Sequence, residues 1–338
     1  MKEKKKYLDI LRIIAIFMVF HFHLVIILER QGLLFGFKNG DWGCVGTTLF
    51  FLISGNCLAR NYGEKLDIKG FYIKRWLAIF PAFYLCYLLV FFGHRVILQN
   101  HVLAGVEPWR MIFTVLGIDN YLNFVGIRNG ALVGEWYTAI ILGIYLLFPL
   151  LQFLYRKSKL LGSVLIFGLY GLNLIFVWGP FPDDAHLITG VGMFWLGMMI
   201  YHLQERLEKL PWYLWVSVLI AAILLFCVEL PGPQLLRKNL MALCIFIIIM
   251  RLGVFLKREN PVISFLSKIE YGIYLCHHAV LYVVQSFFLK LFEEVTPIPY
   301  YILSLVATLL FATVLTYLTR WMVKLFSGKK AKGGNVVC

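Results

Sequence analysis

The sequence predicts an all-α polytopic membrane protein with about ten transmembrane helices and cytoplasmic N- and C-termini. Three observations predict it. Of 338 residues, 61% are hydrophobic and only 15% charged, whereas a water-soluble domain is nearer half apolar and a quarter charged. The apolar residues fall in runs of about 20, the length that crosses a hydrocarbon core. The lysines and arginines gather in short clusters between those runs, as juxtamembrane anchors do.

Each run is read as a helix because only helices and closed barrels satisfy every backbone polar group in lipid. The first, 7–28, follows a basic start with Lys2, Lys4, Lys5 and Lys6. It is longer than a signal-peptide apolar region and lacks a small-x-small cleavage site, so it reads as a retained helix. The others are about 43–60 (short), 71–93, 132–154, 160–179, 186–203, 212–230, 239–256, 269–289 and 299–325. Segment 101–124 is apolar but broken by Glu107, Pro108, Arg110 and Asp119. It reads as an outer loop holding an interfacial or re-entrant helix.

The cations orient the chain. With ten spans and the N-terminus inside, only Arg30, Lys38, Arg95, Arg110, Arg128, Arg237, Lys238 and Lys290 of the 32 fall outside. Residues 1–326 form one transmembrane domain, 327–338 a short basic cytoplasmic tail, and no soluble domain is expected. The net charge of +14 does not imply nucleic acid, since no solvated basic domain carries it. The seven cysteines include no CxxC pair and read as small buried hydrophobes.

Ionisable residues within a span are expensive and therefore functional candidates. The first span holds Asp9, Arg12, His21 and His23. Arg12 and His23 are eleven residues apart, three turns plus about 20°. They share a face, about 16 Å apart along the axis. Asp9 lies one turn before Arg12 on that face, and His21 points to the other side. The stripe reads as a cation near the cytoplasmic surface and a titratable imidazole past mid-membrane.

Tyr7-Leu-Asp-Ile-Leu-Arg12, then ten residues and His23, resembles the opening of the membrane acyltransferase 3 family. Further segments follow in the same order: Phe50-Phe51-Leu-Ile-Ser54-Gly55; Tyr72-Ile-Lys74-Arg75 with Ile79-Phe-Pro81; Trp136-Tyr137 with Tyr145-Leu-Leu-Phe-Pro149; and Tyr271-Gly-Ile-Tyr274-Leu-Cys-His277. The resemblance covers the whole chain. It departs from the family pattern at Ala78, where a second Arg is common, and at Asn56, where an aromatic is. Ile141 stands where many members have Glu, and Glu270 where Ser is usual.

The resemblance implies a ten-helix O-acyltransferase of the plasma (inner) membrane. By the resemblance it would carry an acetyl or similar acyl group from cytoplasmic acyl-CoA, acetyl-CoA by default, to a hydroxyl of an extracytoplasmic glycan or lipid-linked sugar. His23 would be the catalytic base, with Arg12 catalytic and donor-binding. Lys74, Arg75 and Ser54 would also bind the donor, because guanidinium and ammonium groups suit phosphate. Asp9, Glu135, Trp136, Tyr137, Tyr274 and His277 are supporting candidates. No metal is expected, and membrane lipids are the other partner.

Each motif also has a plainer reading. Ser54-Gly55 serves equally as a packing point, Lys74 and Arg75 as topology anchors, and Trp136 and Tyr137 as an interfacial belt. Pro81 and Pro149 read as helix kinks. His277 and His278 are adjacent and so should face different directions. Acceptor contacts are expected from loop 93–131, with Trp109, Tyr121, Asn123 and Asn129. The alternative function is a transporter or flippase for a lipid-linked saccharide, with His23 in a proton relay; the paired broken helices of many transporters are not evident.

Overall fold

The computed structural model describes residues 6–28, 36–38, 40–63, 65–96, 103–134, 136–176, 179–255, 260–291 and 295–326. Its helices are α1 (Lys6–Ile27), α2 (Trp42–Tyr62), α3 (Ile68–Val96), α4 (Met111–Val115), α5 (Asn120–Phe124), α6 (Trp136–Lys157), α7 (Lys159–Ile175), α8 (Leu187–Glu208), α9 (Trp212–Cys227), α10 (Gln234–Gly253), α11 (Pro261–Leu291) and α12 (Pro297–Phe326). A two-residue antiparallel pair, β1 (Gly36–Phe37) with β2 (Gly40–Asp41), precedes α2.

Each expected span corresponds to a helix. Seven of them, α1, α2, α3, α6, α8, α11 and α12, are long and apolar enough to cross a membrane. Helices α7 and α9 are shorter, with 17 and 16 residues, about 24–26 Å at 1.5 Å per residue. Helix α10 has 20 residues but carries Arg237, Lys238 and Arg251. Among the described residues of segment 101–124 there are a 3₁₀ turn and the short α4 and α5, none long enough to cross. Pro81 and Pro149 lie inside continuous helices, as membrane helices tolerate.

Outward faces are strongly apolar: Leu160, Trp212 and Leu310 are each more than 60% exposed. A water-soluble protein rarely leaves such surface uncovered. The chain is an integral, multi-pass, all-α membrane protein.

Helix α2 is the hub, packed on α8, α1 and α10 and buried along most of its length. Asp41 caps its start by accepting from the Cys44 amide at 2.8 Å, which satisfies an end donor that lipid cannot. Small residues allow the backbones to touch. A side-chain carbon on Gly55 would collide with the Phe194 carbonyl of α8, and one on Gly197 with the Leu52 carbonyl of α2.

Interhelical polar bonds add specificity. The Thr48 hydroxyl donates to Asn239 Oδ1 at 2.8 Å, and Asn239 Nδ2 donates to the Tyr170 hydroxyl at 2.7 Å. Cys44, Cys57, Cys86, Cys227, Cys244 and Cys276 form no disulfide; Cys338 and tail 327–338 lie outside the described residues, as does Glu135.

Candidate active site

The site begins with α1. Arg12 and Asp9 are buried, 5% exposed each, and Arg12 Nη1 donates to Asp9 Oδ1 at 2.9 Å. A lone buried guanidinium would carry a large desolvation penalty; the carboxylate one turn away offsets it. Ser267 of α11 donates to the same Asp9 oxygen at 2.8 Å, and Arg12 Nη2 donates to Cys57 Sγ of α2 at 3.4 Å. Arg12 is thus fixed by three helices.

Helices α1 and α11 run parallel. Asp9 meets Ser267 at one end. His23 meets His277 further along, with ring centroids 5.1 Å apart. Gln285 Nε2 donates to the Ile27 carbonyl at 3.2 Å beyond that. Two stripes therefore face each other: Arg12 to His23 on α1, and Glu270, Tyr274, His277 and His278 on α11.

A cleft lies among α1, α2, α3, α6 and α11. Its polar wall holds Arg12, Arg75, Ser54, Thr138 and Glu270; its aromatic wall holds Phe50, Tyr137, Tyr145, Tyr271 and Tyr274. The Arg75 guanidinium lies 5.6 Å from the Tyr145 ring centre and 6.0 Å from that of Phe71, so cation–π contacts hold it at the wall. Ser54 and Gly55 divide their two readings: the serine lines the cleft and the glycine packs on α8.

Two expected donor-binding positions differ in place. Lys74 is exposed, its ammonium 6.0 Å from the Tyr62 ring centre, and does not line the cleft. Consecutive residues on α3 diverge by about 100°, and here Arg75 faces the cleft while Lys74 does not. Trp136 is half-buried outside the cleft, packed on a hydrophobic core cluster.

His23 does not line this cleft either. The connection runs through α11. Tyr274 lines the cleft and shares a hydrogen bond with the Thr138 hydroxyl at 2.9 Å. Its ring centre lies 6.2 Å from that of His277. The His278 ring is edge-on to His23 with centroids 4.1 Å apart. His277 and His278 are neighbours in sequence, and both rings reach the His23 ring of α1. His21 instead approaches Tyr301 of α12, at 6.1 Å.

His278 was not among the candidates from sequence. The signal for it is the i, i+4, i+7, i+8 pattern of Glu270, Tyr274, His277 and His278, which marks one broad helix face. Glu270, buried at 8% exposure, lies in the cleft with the two arginines and not beside His23.

The outer loop uses much of its polarity on itself. Asn129 Nδ2 donates to Asn123 Oδ1 at 2.7 Å, the Tyr121 hydroxyl to the Ala185 carbonyl at 2.5 Å, and the Trp109 indole to Glu107 at 2.6 Å. Trp109 remains 62% exposed.

A polytopic helical bundle with an arginine-lined cleft and a cluster of imidazoles behind its Tyr274 wall is the frame of a membrane group-transfer enzyme. Residues 5–317 match the family model described as an acyltransferase domain, and the chain belongs to the acyltransferase 3 family. It is similar to the peptidoglycan O-acetyltransferase OatA of Listeria monocytogenes serovar 1/2a, 26% identical over 323 residues, covering 81% of this chain and 49% of that protein. It is also similar to nodulation protein 10 of Rhizobium leguminosarum bv. viciae, 29% identical over 150 residues, covering 38% of this chain and 40% of that one. The chain thus spans about half or less of the curated relatives it matches. No solved structure matches it. Three of its four departures from the family pattern, Ala78, Ile141 and Glu270, line the cleft.

Proposed function

We propose that this chain is an integral membrane O-acyltransferase. It takes an acyl group, by default acetyl, from cytoplasmic acyl-CoA and delivers it to a hydroxyl of an extracytoplasmic glycan or lipid-linked sugar. One observation carries the reading: Arg75 and Arg12 line a cleft whose Tyr274 packs against His277, which in turn packs against His23.

The cleft suits a donor of this kind. Guanidinium groups hold phosphate with directed hydrogen bonds, and aromatic walls suit an apolar pantetheine arm. Arg12 is already balanced by Asp9, so Arg75 supplies more of the attraction for phosphate. Lys74 attracts from the exposed rim. His23 takes the proton from the acceptor hydroxyl as its oxygen attacks the thioester carbonyl. The thiolate of CoA leaves and recovers a proton. His277 holds the His23 ring in place, and Tyr274 closes the cleft behind the thioester.

We propose ten crossings with both termini in the cytoplasm and a single transmembrane domain over 1–326. The parallel course of α1 and α11 supports this, because the first and ninth crossings share a direction. The acceptor class follows the relative whose name specifies peptidoglycan, and exposed Trp109 offers a face on which a sugar ring stacks.

The test is purified protein in nanodiscs with acetyl-CoA and a soluble glycan acceptor. Acceptor-dependent release of CoA, lost in His23→Ala, is expected. Transport of a lipid-linked saccharide without consumption of acetyl-CoA would replace this reading with a flippase.

A further inference from the structure

We infer that His23, His277 and His278 form a binding site for one divalent cation of the zinc class, and that its occupancy silences acyl transfer. The second half rests on the reading of His23 as the base.

The donor atoms are already gathered. One ring nitrogen from each of the three histidines lies within 4.8 Å of the other two. Zinc binds imidazole nitrogen at about 2.0–2.1 Å in tetrahedral geometry, so two ligands on one ion stand about 3.3 Å apart. Side-chain rotations close the difference. The ligands come from two helices, α1 and α11, which pack on one another along their length.

The second observation is the state of His277. Its Nδ1 lies 2.8 Å from the Tyr274 carbonyl and 3.2 Å from that of Ile273. A carbonyl oxygen only accepts, so Nδ1 carries the proton and Nε2 presents its lone pair. That Nε2 is buried without a hydrogen-bond partner among the described residues, and the side chain is 1% exposed. A ligating histidine normally donates its other nitrogen to a backbone carbonyl or carboxylate in this way, which sets its tautomer and orientation. His23 and His278 are only partly buried.

The donor set selects the metal. Imidazole nitrogens suit zinc, copper and nickel, whereas magnesium and calcium take oxygen ligands. Three histidines leave one tetrahedral position for water or an anion. A metal on His23 occupies the lone pair that would accept the acceptor's proton, so the loaded protein is the inactive form.

The experiment uses the full chain in nanodiscs, stripped with a chelator and dialysed against zinc. Elemental analysis is expected to find one zinc per chain. His278→Ala and His277→Gln should bind at least tenfold more weakly, and His21→Ala should bind as the parent does. X-ray absorption at the zinc edge should show three imidazole ligands. Zinc should abolish acetyl-CoA-dependent transfer, and chelator should restore it. Absence of stoichiometric zinc, or unchanged binding in both His278→Ala and His277→Gln, overturns the site. Binding without inhibition overturns the silencing alone. Full transfer by His23→Ala would overturn the base reading, while the zinc stoichiometry still decides the site.

Discussion

Gly55 of α2 lies directly against the Phe194 carbonyl of α8, with no room between them for a single side-chain carbon. Gly197 makes the reciprocal approach to the Leu52 carbonyl of α2. In lipid no hydrophobic force draws helices together, so close backbone packing supplies much of the association. Gly55→Ala and Gly197→Ala must push the helices apart, at a cost of about 1–3 kcal/mol or more. A fall in the thermal midpoint of detergent-purified protein is the expected result for both. Ser54→Ala should keep the midpoint and weaken donor binding, since the neighbouring serine faces the cleft.

His23→Ala should lower the transfer rate about 10²–10⁴-fold, the usual contribution of a positioned base. His21→Ala should retain transfer, because its ring approaches Tyr301 of α12 and not the α11 histidines. Rates measured on correctly folded protein check both. A dead His21 variant beside an active His23 variant would reverse the assignment.

Arg75→Ala should weaken acyl-CoA binding most, Lys74→Ala least, as Lys74 lies outside the cleft. Arg12→Ala should show a different signature. It removes the guanidinium paired with buried Asp9, and breaking one partner of a buried pair costs about 3–5 kcal/mol. Its thermal midpoint should therefore fall along with donor affinity, and Asp9→Asn combined with Arg12→Ala should recover part of the midpoint. Calorimetric binding of acetyl-CoA beside thermal unfolding separates the cases.

Asp41 does two jobs at the start of α2. It caps the helix at Cys44 N and pairs with Lys238 Nζ of α10 at 2.6 Å. Asp41→Ala should destabilise by at least the ~1 kcal/mol of a lost cap, and Asp41→Asn, which keeps an acceptor oxygen, should lose less. Nearby Asp184 has its carboxyl pushed above the usual range, first by burial, against the opposing pull of Lys238. A raised carboxylate pKa means the folded state holds its proton more tightly. Its stabilising contribution is complete below the unfolded value of about 3.9 and fades as pH rises toward the folded one. Asp184→Asn should thus raise the thermal midpoint at pH 7 more than at pH 4.

Cell-envelope glycans from cells with and without this gene should differ by the mass of one acyl group on the acceptor. Mass spectrometry reads the difference directly and names the acyl group.

Much of the molecule was legible in the chain because lipid imposes simple rules. A run of about 20 apolar residues has one stable form, and the expected spans coincide with helices. A helix also has a known pitch, so Arg12 and His23 were assignable to one face, and His21 to another, before any contact was known. Local periodicity cannot say which helix a face meets. Only the tertiary structure set α1 parallel to α11, brought both His277 and His278 against His23, turned Lys74 outward while Arg75 entered the cleft, and put Glu270 with the arginines instead of the imidazoles. Those outcomes depend on helix crossings and on backbone approaches such as Gly55 to Phe194. They are long-range packing choices, and no pattern within a single span records them.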